Sequence, residues 1–165
     1  MKNINLDAID IRILSAVQSH GQLSKSKLAE LVSLSPTPCW ARLTKLKAAG
    51  LIRAYRADIA LGKIDDLIQV IVTISLTHHR KPDFDRFEAH IGNMTEVAEC
   101  IATGGGMDYV LKIYSANLAA FQSLMESLLA ADLGIDRYMT YIVTREIKSE
   151  PPDLTRLITV TPKKR

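Results

Sequence analysis

Two stretches of the 165-residue chain carry side chains whose types and spacing could act on another molecule. The first runs Ser35-Pro36-Thr37-Pro38-Cys39-Trp40-Ala41-Arg42-Leu43-Thr44-Lys45-Leu46. At about 100° per residue it puts Cys39, Leu43 and Leu46 on one helical face and Thr37, Ala41, Thr44 and Lys45 on the opposite one, with Trp40 and Arg42 on the flanks. A small, polar, basic outer surface of this kind offers donors to base edges and phosphates in a major groove. Ser35 and Thr37, at the start, are placed to meet phosphate beside the unpaired N–H groups of the first turn. The second stretch is Gly104-Gly105-Gly106-Met107-Asp108. Glycines admit positive φ and close backbone approach, which opens N–H groups to a carboxylate, while Asp108 offers a partner for an ammonium group. An amino acid carries both groups. The competing reading is a plain hairpin turn in which Asp108 caps backbone N–H groups.

Other chemistry finds no support. The triple glycine is not a GxGxxG fingerprint and does not sit between a strand and a helix. His20, His78, His79 and His90 fall at a helix end, after a strand and in a later helix, with no carboxylate or cysteine spacing that would make a metal set. Cys39 and Cys100 lie in apolar patterns and read as reduced core thiols. No nucleophile has a local base beside it, so we expect no catalytic residues, metal or cofactor.

The elements that position the two stretches follow from periodicity and caps. Asp7 N-caps a first helix to about Ser19, with Ile9, Ile13, Leu14 and Val17 on its inner face and Gly21 past its end. Ser24 caps a short second helix with Leu28, Ala29, Leu31 and Val32 inward. After the turn at Leu34, Ser35 and the prolines start a third helix that runs to Ala49, with Gly50 as its C-cap. Two helices separated by a tight turn make a helix-turn-helix, and Trp40 reads as packing within it. Alternation from Leu51 to Ile59 predicts a strand, as in a winged variant.

A second domain begins at Leu67. Leu67–Leu76 reads as a central strand, Pro82 opens a helix with Phe84, Phe87 and Ile91 inward, and strands follow at Val97–Ala102 and Tyr109–Tyr114. Asn117 caps a helix with Leu118, Phe121, Leu124, Met125 and Leu128 inward, and a last strand spans about Arg137–Lys148. The order β-α-β-β-α-β is ferredoxin-like. The expected fold is therefore α+β: an N-terminal winged helix-turn-helix domain (1–58), a connector (59–66), a ferredoxin-like domain (67–150) and a tail (151–165) that packs on a neighbouring subunit or stays loose.

Charge separates the two parts. Residues 1–56 hold nine Lys/Arg against three Asp/Glu, whereas 57–165 hold twelve against fifteen, so the basic first part suits a polyanion. At 47% apolar content the chain can fill cores, yet it has no run long enough to span a membrane and no signal-peptide start, which points to the cytoplasm.

The segments Leu34-Ser35-Pro36-Thr37-Pro38-Cys39, Arg42-Leu43, Leu46 and Gly50-Leu51-Ile52 resemble the Lrp/AsnC (leucine-responsive/asparagine-responsive) family of transcriptional regulators. The likeness covers nearly the whole chain, including Leu6-Asp7-Ala8-Ile9-Asp10, Asp108-Tyr109, Thr140-Tyr141-Ile142-Val143 and Ile147-Lys148. It implies a sequence-specific regulator of double-stranded DNA, read by Ser35, Thr37, Ala41, Arg42, Thr44 and Lys45. It also implies that the C-terminal domain, of the RAM type, dimerises through its sheet, that dimers assemble usually to octamers, and that an amino acid or derivative binds between dimers. By position, Gly104, Gly105, Gly106, Met107 and Asp108 would edge that effector cleft, with Tyr141, Ile142 and Val143 nearby. Family members commonly have an aromatic residue before the aspartate and a single glycine at the turn; the three glycines and Met107 suggest a roomier site.

Overall fold

The structure is a computed structural model that describes residues 5–158, so Val160 and the basic end Lys163–Arg165 lie outside the described residues. It contains two compact units: the N-terminal residues to Ile59 together with those from Lys148 onward, and Ala60–Ile147.

The first unit holds α1 (Ala8–His20), α2 (Lys25–Leu31) and α3 (Pro36–Ala48). α1 starts where Asp7 accepts from the N–H groups of Ile9 and Asp10, both at 2.9 Å, while the Asp10 side chain accepts from Asp7 N–H at 3.1 Å. This reciprocal pair satisfies donors the helix itself leaves open. Ser24 accepts from Lys27 N–H at the start of α2. α3 ends one residue earlier than the sequence suggests: Ala49 is the cap, and Gly50 follows it at φ +73. Gly50 N–H then bonds to Lys47 and Leu51 N–H to Leu46, a Schellman closure that needs the left-handed backbone glycine adopts freely. The core joins Ile11, Ile13, Leu14 and Val17 to Leu28, Ala29, Val32, Cys39, Leu43 and Leu46. Leu31, expected inward, is 42% exposed.

The strand expected at 51–59 is not formed. Residues 51–60 have no ladder partner, and among the described residues this unit contains no other strand to supply one. Ile52 and Tyr55 still pack on the helical core, which accounts for the alternation without any pairing. The described part of the tail packs on this unit: a short helix, α6 (Leu154–Leu157), puts Leu154 against the same core.

The second unit contains β1 (Ile68–Leu76), α4 (Lys81–Ile91), β2 (Val97–Ala102), β3 (Tyr109–Ser115), α5 (Leu118–Ala130) and β4 (Ile135–Ile142). All pairings are antiparallel, in the order β2-β3-β1-β4, the ferredoxin-like arrangement. β4 stops at Ile142 rather than reaching Lys148. One sheet face, with Val70, Val72, Ile74, Tyr109, Leu111 and Ile113, packs on Phe87 and Ile91 of α4 and Phe121, Met125 and Leu128 of α5. Leu118 is 48% exposed because helical side chains lean toward the N-terminus, so that of a first-turn residue overhangs the helix start. Tyr109 is buried between Phe84 and Phe87 and donates its hydroxyl to Glu88 at 2.8 Å. Burial, then that bond, raises its pKa well above the ordinary tyrosine value. By strand register the other face carries Ile71, Thr73, Val110, Met139 and Tyr141, and no helix of this unit covers it.

Partial burial acts to raise the Asp7 pKa, but the Asp10 N–H and the Arg42 guanidinium outweigh it and hold the carboxyl below its ordinary 3.8. A depressed carboxylate stabilises the folded state fully above its ordinary value, and that contribution is lost as pH falls through the lower folded value. Asp7→Asn keeps a good N-cap but removes the charge, so its unfolding midpoint should fall less steeply than wild type below pH 3.8 in thermal melts across acid pH.

Candidate nucleic-acid interface and effector loop

α3 turns Cys39, Leu43 and Leu46 inward, each 3% exposed or less. Ser35, Thr37, Ala41, Thr44 and Lys45 are all exposed, so five of the six residues read as DNA contacts share the open side. Lys45 has no carboxylate partner among the described residues. The helix start differs from expectation in one respect. Pro36 and Pro38 have no N–H, and Cys39 N–H already bonds to Ser35, so Thr37 N–H is the single open backbone donor of the first turn. The Ser35 side chain makes no cap bond and remains available.

Arg42 behaves differently from the other five. Its Nη1 lies 2.7 Å from Asp7 Oδ2 and 2.8 Å from Asp10 Oδ1, and the side chain is only 33% exposed. The guanidinium therefore ties α3 to the capped start of α1. Its hydrogen bonds to Asp10 and Asp7 raise its own pKa further. Trp40 also packs: Lys25 Nζ sits 4.5 Å from its ring centroid and Lys47 Nζ 5.9 Å, with Lys47 4.9 Å from the Tyr55 ring. Sequence reading missed Lys47 as a fixed cation on this helix. The signal was its spacing of seven residues from Trp40, which returns to the same helical side.

In the second unit, Gly104, Gly105 and Gly106 form an exposed turn between β2 and β3, with Gly105 at φ +125. A Cβ at any of the three would meet nothing within 4 Å, so Gly105 alone is required by the backbone. The turn is braced by Thr103 Oγ1 donating to Met107 at 2.6 Å and by Arg137 Nη2 donating to Gly106 at 3.1 Å. Asp108 Oδ2 accepts from Leu76 N–H at 2.7 Å and faces His79 Nε2 at 3.1 Å. Asp108 therefore caps a backbone N–H, as the hairpin reading has it, with 17% of its side chain open.

Tyr141, Ile142 and Val143 lie elsewhere in the same copy. Tyr141 pairs with Ile71, Ile142 with Val70, and Val143 N–H bonds to Gln69, whereas Asp108 N–H bonds to Ile74. At about 3.4 Å per residue the two groups stand roughly 15 Å apart along β1. The residues beside the glycine turn are instead His79 and Arg137, neither of which the sequence pattern singles out.

Residues 6–53 match a family model described as winged helix-turn-helix DNA-binding, and residues 69–153 match the Lrp/AsnC ligand binding domain. The chain belongs to the Lrp/AsnC family. It is 41% identical over 145 residues to the transcriptional regulatory protein DoeX of Halomonas elongata, covering 88% of this chain and 92% of that one. It is 37% identical to the leucine-responsive regulatory protein of Haemophilus influenzae, covering 89% of each. Among solved structures, a Neisseria meningitidis transcriptional regulator in complex with L-Met superposes with a TM-score of 0.82 at 32% identity, over 93% of this chain and 99% of that one. An AsnC family regulator from Agrobacterium tumefaciens gives 0.80 at 28% identity, over 89% and 95%. This Lrp/AsnC protein is a DNA-binding transcriptional regulator with a ligand-binding domain, and not an enzyme. No described helix is long and apolar enough to cross a membrane.

Removing one member of a partly buried charge pair leaves the other unsatisfied. Arg42→Gln should therefore lower the stability of the first unit by about 1–3 kcal/mol in denaturant melts. In the Asp10→Asn background the same change should cost much less, because the buried charge it strands is gone; equal costs would show that the two residues are not coupled.

Proposed function

We propose that this protein works in the cytoplasm as a homo-oligomer, built from dimers that assemble to an octamer, and that an amino acid or a derivative of one sets its occupancy of double-stranded DNA. The observation that carries the effector reading is the set of groups around the glycine turn. The open N–H groups of Gly104–Gly106 and the Arg137 guanidinium face a carboxylate, and Asp108 with its remaining exposure faces an ammonium group. The solved relative that carries L-Met supports an amino-acid ligand. Met107 is half-buried beside these groups and would border the effector's side chain.

Tyr141, Ile142 and Val143 join that cleft from a neighbouring copy, since within one chain they stand at the far end of β1. The uncovered sheet face supports dimerisation: Met139 is 44% and Tyr141 50% exposed. A dimer then presents two copies of α3 to half-sites about one helical turn or a multiple apart. Ser35, Thr37 and Lys45 contact phosphate, Thr44 and Ala41 face base edges, and Arg42 contributes by holding α3 in place.

The first experiment is a band shift on the DNA immediately upstream of this protein's own gene, at fixed salt, with a panel of amino acids and derivatives. Selective binding altered by one compound supports the whole reading; failure to bind that fragment or bulk DNA at low salt removes it. Lys45→Ala should weaken binding to every sequence and flatten the dependence of log affinity on log salt by about 0.9 for each phosphate that the lysine neutralises. An unchanged slope would take Lys45 off the phosphates. Asp108→Asn retains an oxygen for Leu76 N–H but loses the charge. Calorimetry should therefore show much weaker effector binding with apo DNA affinity intact, whereas unaltered binding would leave Asp108 as a backbone cap.

A further inference from the structure

A groove of about 550 Å³ runs along the first unit, walled by Leu14 and Val17 of α1 and by Ile52 and Tyr55 of the extended segment. Leu154 completes the wall and packs on the unit's core, although it belongs to the far end of the chain. The segment that delivers it is ordered by its own bonds. Asp153 Oδ1 accepts from Thr155 N–H at 2.9 Å and from the Thr155 hydroxyl at 2.6 Å, and Arg156 Nε lies 3.5 Å from Asp153 Oδ2. Pro151 and Pro152 just before it restrict the backbone to extended forms and lower the entropy lost on docking. On its other side the segment follows from β4, whose last backbone bond joins Val143 to Gln69, and Glu146 reaches to 4.0 Å from Lys112.

The chain therefore passes from the first unit to the second at residues 59–60 and returns at 147–148. We infer that residues 148–157 are a clasp: by seating Leu154 on α1 they tie the DNA-binding unit to the sensor at a second point. One flexible tether leaves a domain free to swing and turn; a second removes much of that freedom. A unit held this way meets paired half-sites with less orientational entropy to lose, so affinity becomes sensitive to their spacing. That last step rests on the dimer reading proposed above, whereas the seating of Leu154 does not.

The test uses the full-length protein with Leu154→Ser and, as the conservative control, Leu154→Met. Hydrogen exchange of α1 should speed up by about tenfold in the serine variant and stay near wild type in the methionine one. Band shifts would use a duplex selected by the wild-type protein from a random pool, and the same duplex with about half a helical turn inserted between its half-sites. The serine variant should bind the selected duplex more weakly and lose most of the wild-type penalty for the insertion. Unchanged α1 exchange overturns the seating. Faster exchange with the full insertion penalty overturns the tie. A wild-type protein indifferent to the insertion overturns the paired half-sites and the clasp's role with them, while the exchange result separates that failure from a clasp that never forms.

Discussion

The pairing of Arg42 with Asp7 and Asp10 governs what the DNA-binding unit can present. Cys39, Leu43 and Leu46 bury one side of α3, but apolar burial is non-directional and would tolerate a roll or slide of the helix on its neighbours. The guanidinium removes that tolerance, because its bonds at 2.7 and 2.8 Å reach two carboxylates already fixed by the capping of α1. Those carboxylates are held by backbone N–H groups, so the capped turn is a rigid anchor rather than a mobile counter-charge. From this geometry follows the outward display of Thr37, Ala41, Thr44 and Lys45. Lys25 and Lys47 over Trp40 brace the same helix from α2 and from its own last turn.

The second unit solves a different problem with similar economy. Its sheet has one face filled by α4 and α5 and another that no helix of the unit covers, and its charge balance is acidic where that of the first is basic. Asp108 links the glycine turn to the end of β1 through Leu76 N–H, so this carboxylate is anchored to the central strand rather than to a loose loop. Arg137 adds a link from β4 to the same turn. The turn, lying between β2 and β3, is thus connected to all four strands of the sheet.

Much of this is legible in the sequence, and the failures have physical causes. The caps at Asp7, Ser24 and Asn117 can be read because they involve donors two or three residues away. The exposed side of α3 and the succession of strands and helices in the second unit follow from periodicity. The partners of Arg42 do not, since they lie 35 and 32 residues distant and only folding brings them together. Alternation at Leu51–Ile59 reports that one side is covered, and Ile52 and Tyr55 meet that condition against helices, so the pattern cannot reveal the missing ladder. His79 and Arg137 escape for a related reason: their places beside Asp108 and Gly106 depend on strand ends and a register no local pattern encodes. Four residues of α6 are too few to show any period.

The placement of Leu154 on α1 also sets an order of assembly. A chain leaving the ribosome exposes Leu14, Val17 and Tyr55 long before the residue that covers them, with the whole sensor made in between. The DNA reader is therefore begun first and finished last. A product interrupted anywhere in the sensor would carry α3 in full yet lack this closing contact, and would be the more readily opened and degraded for it.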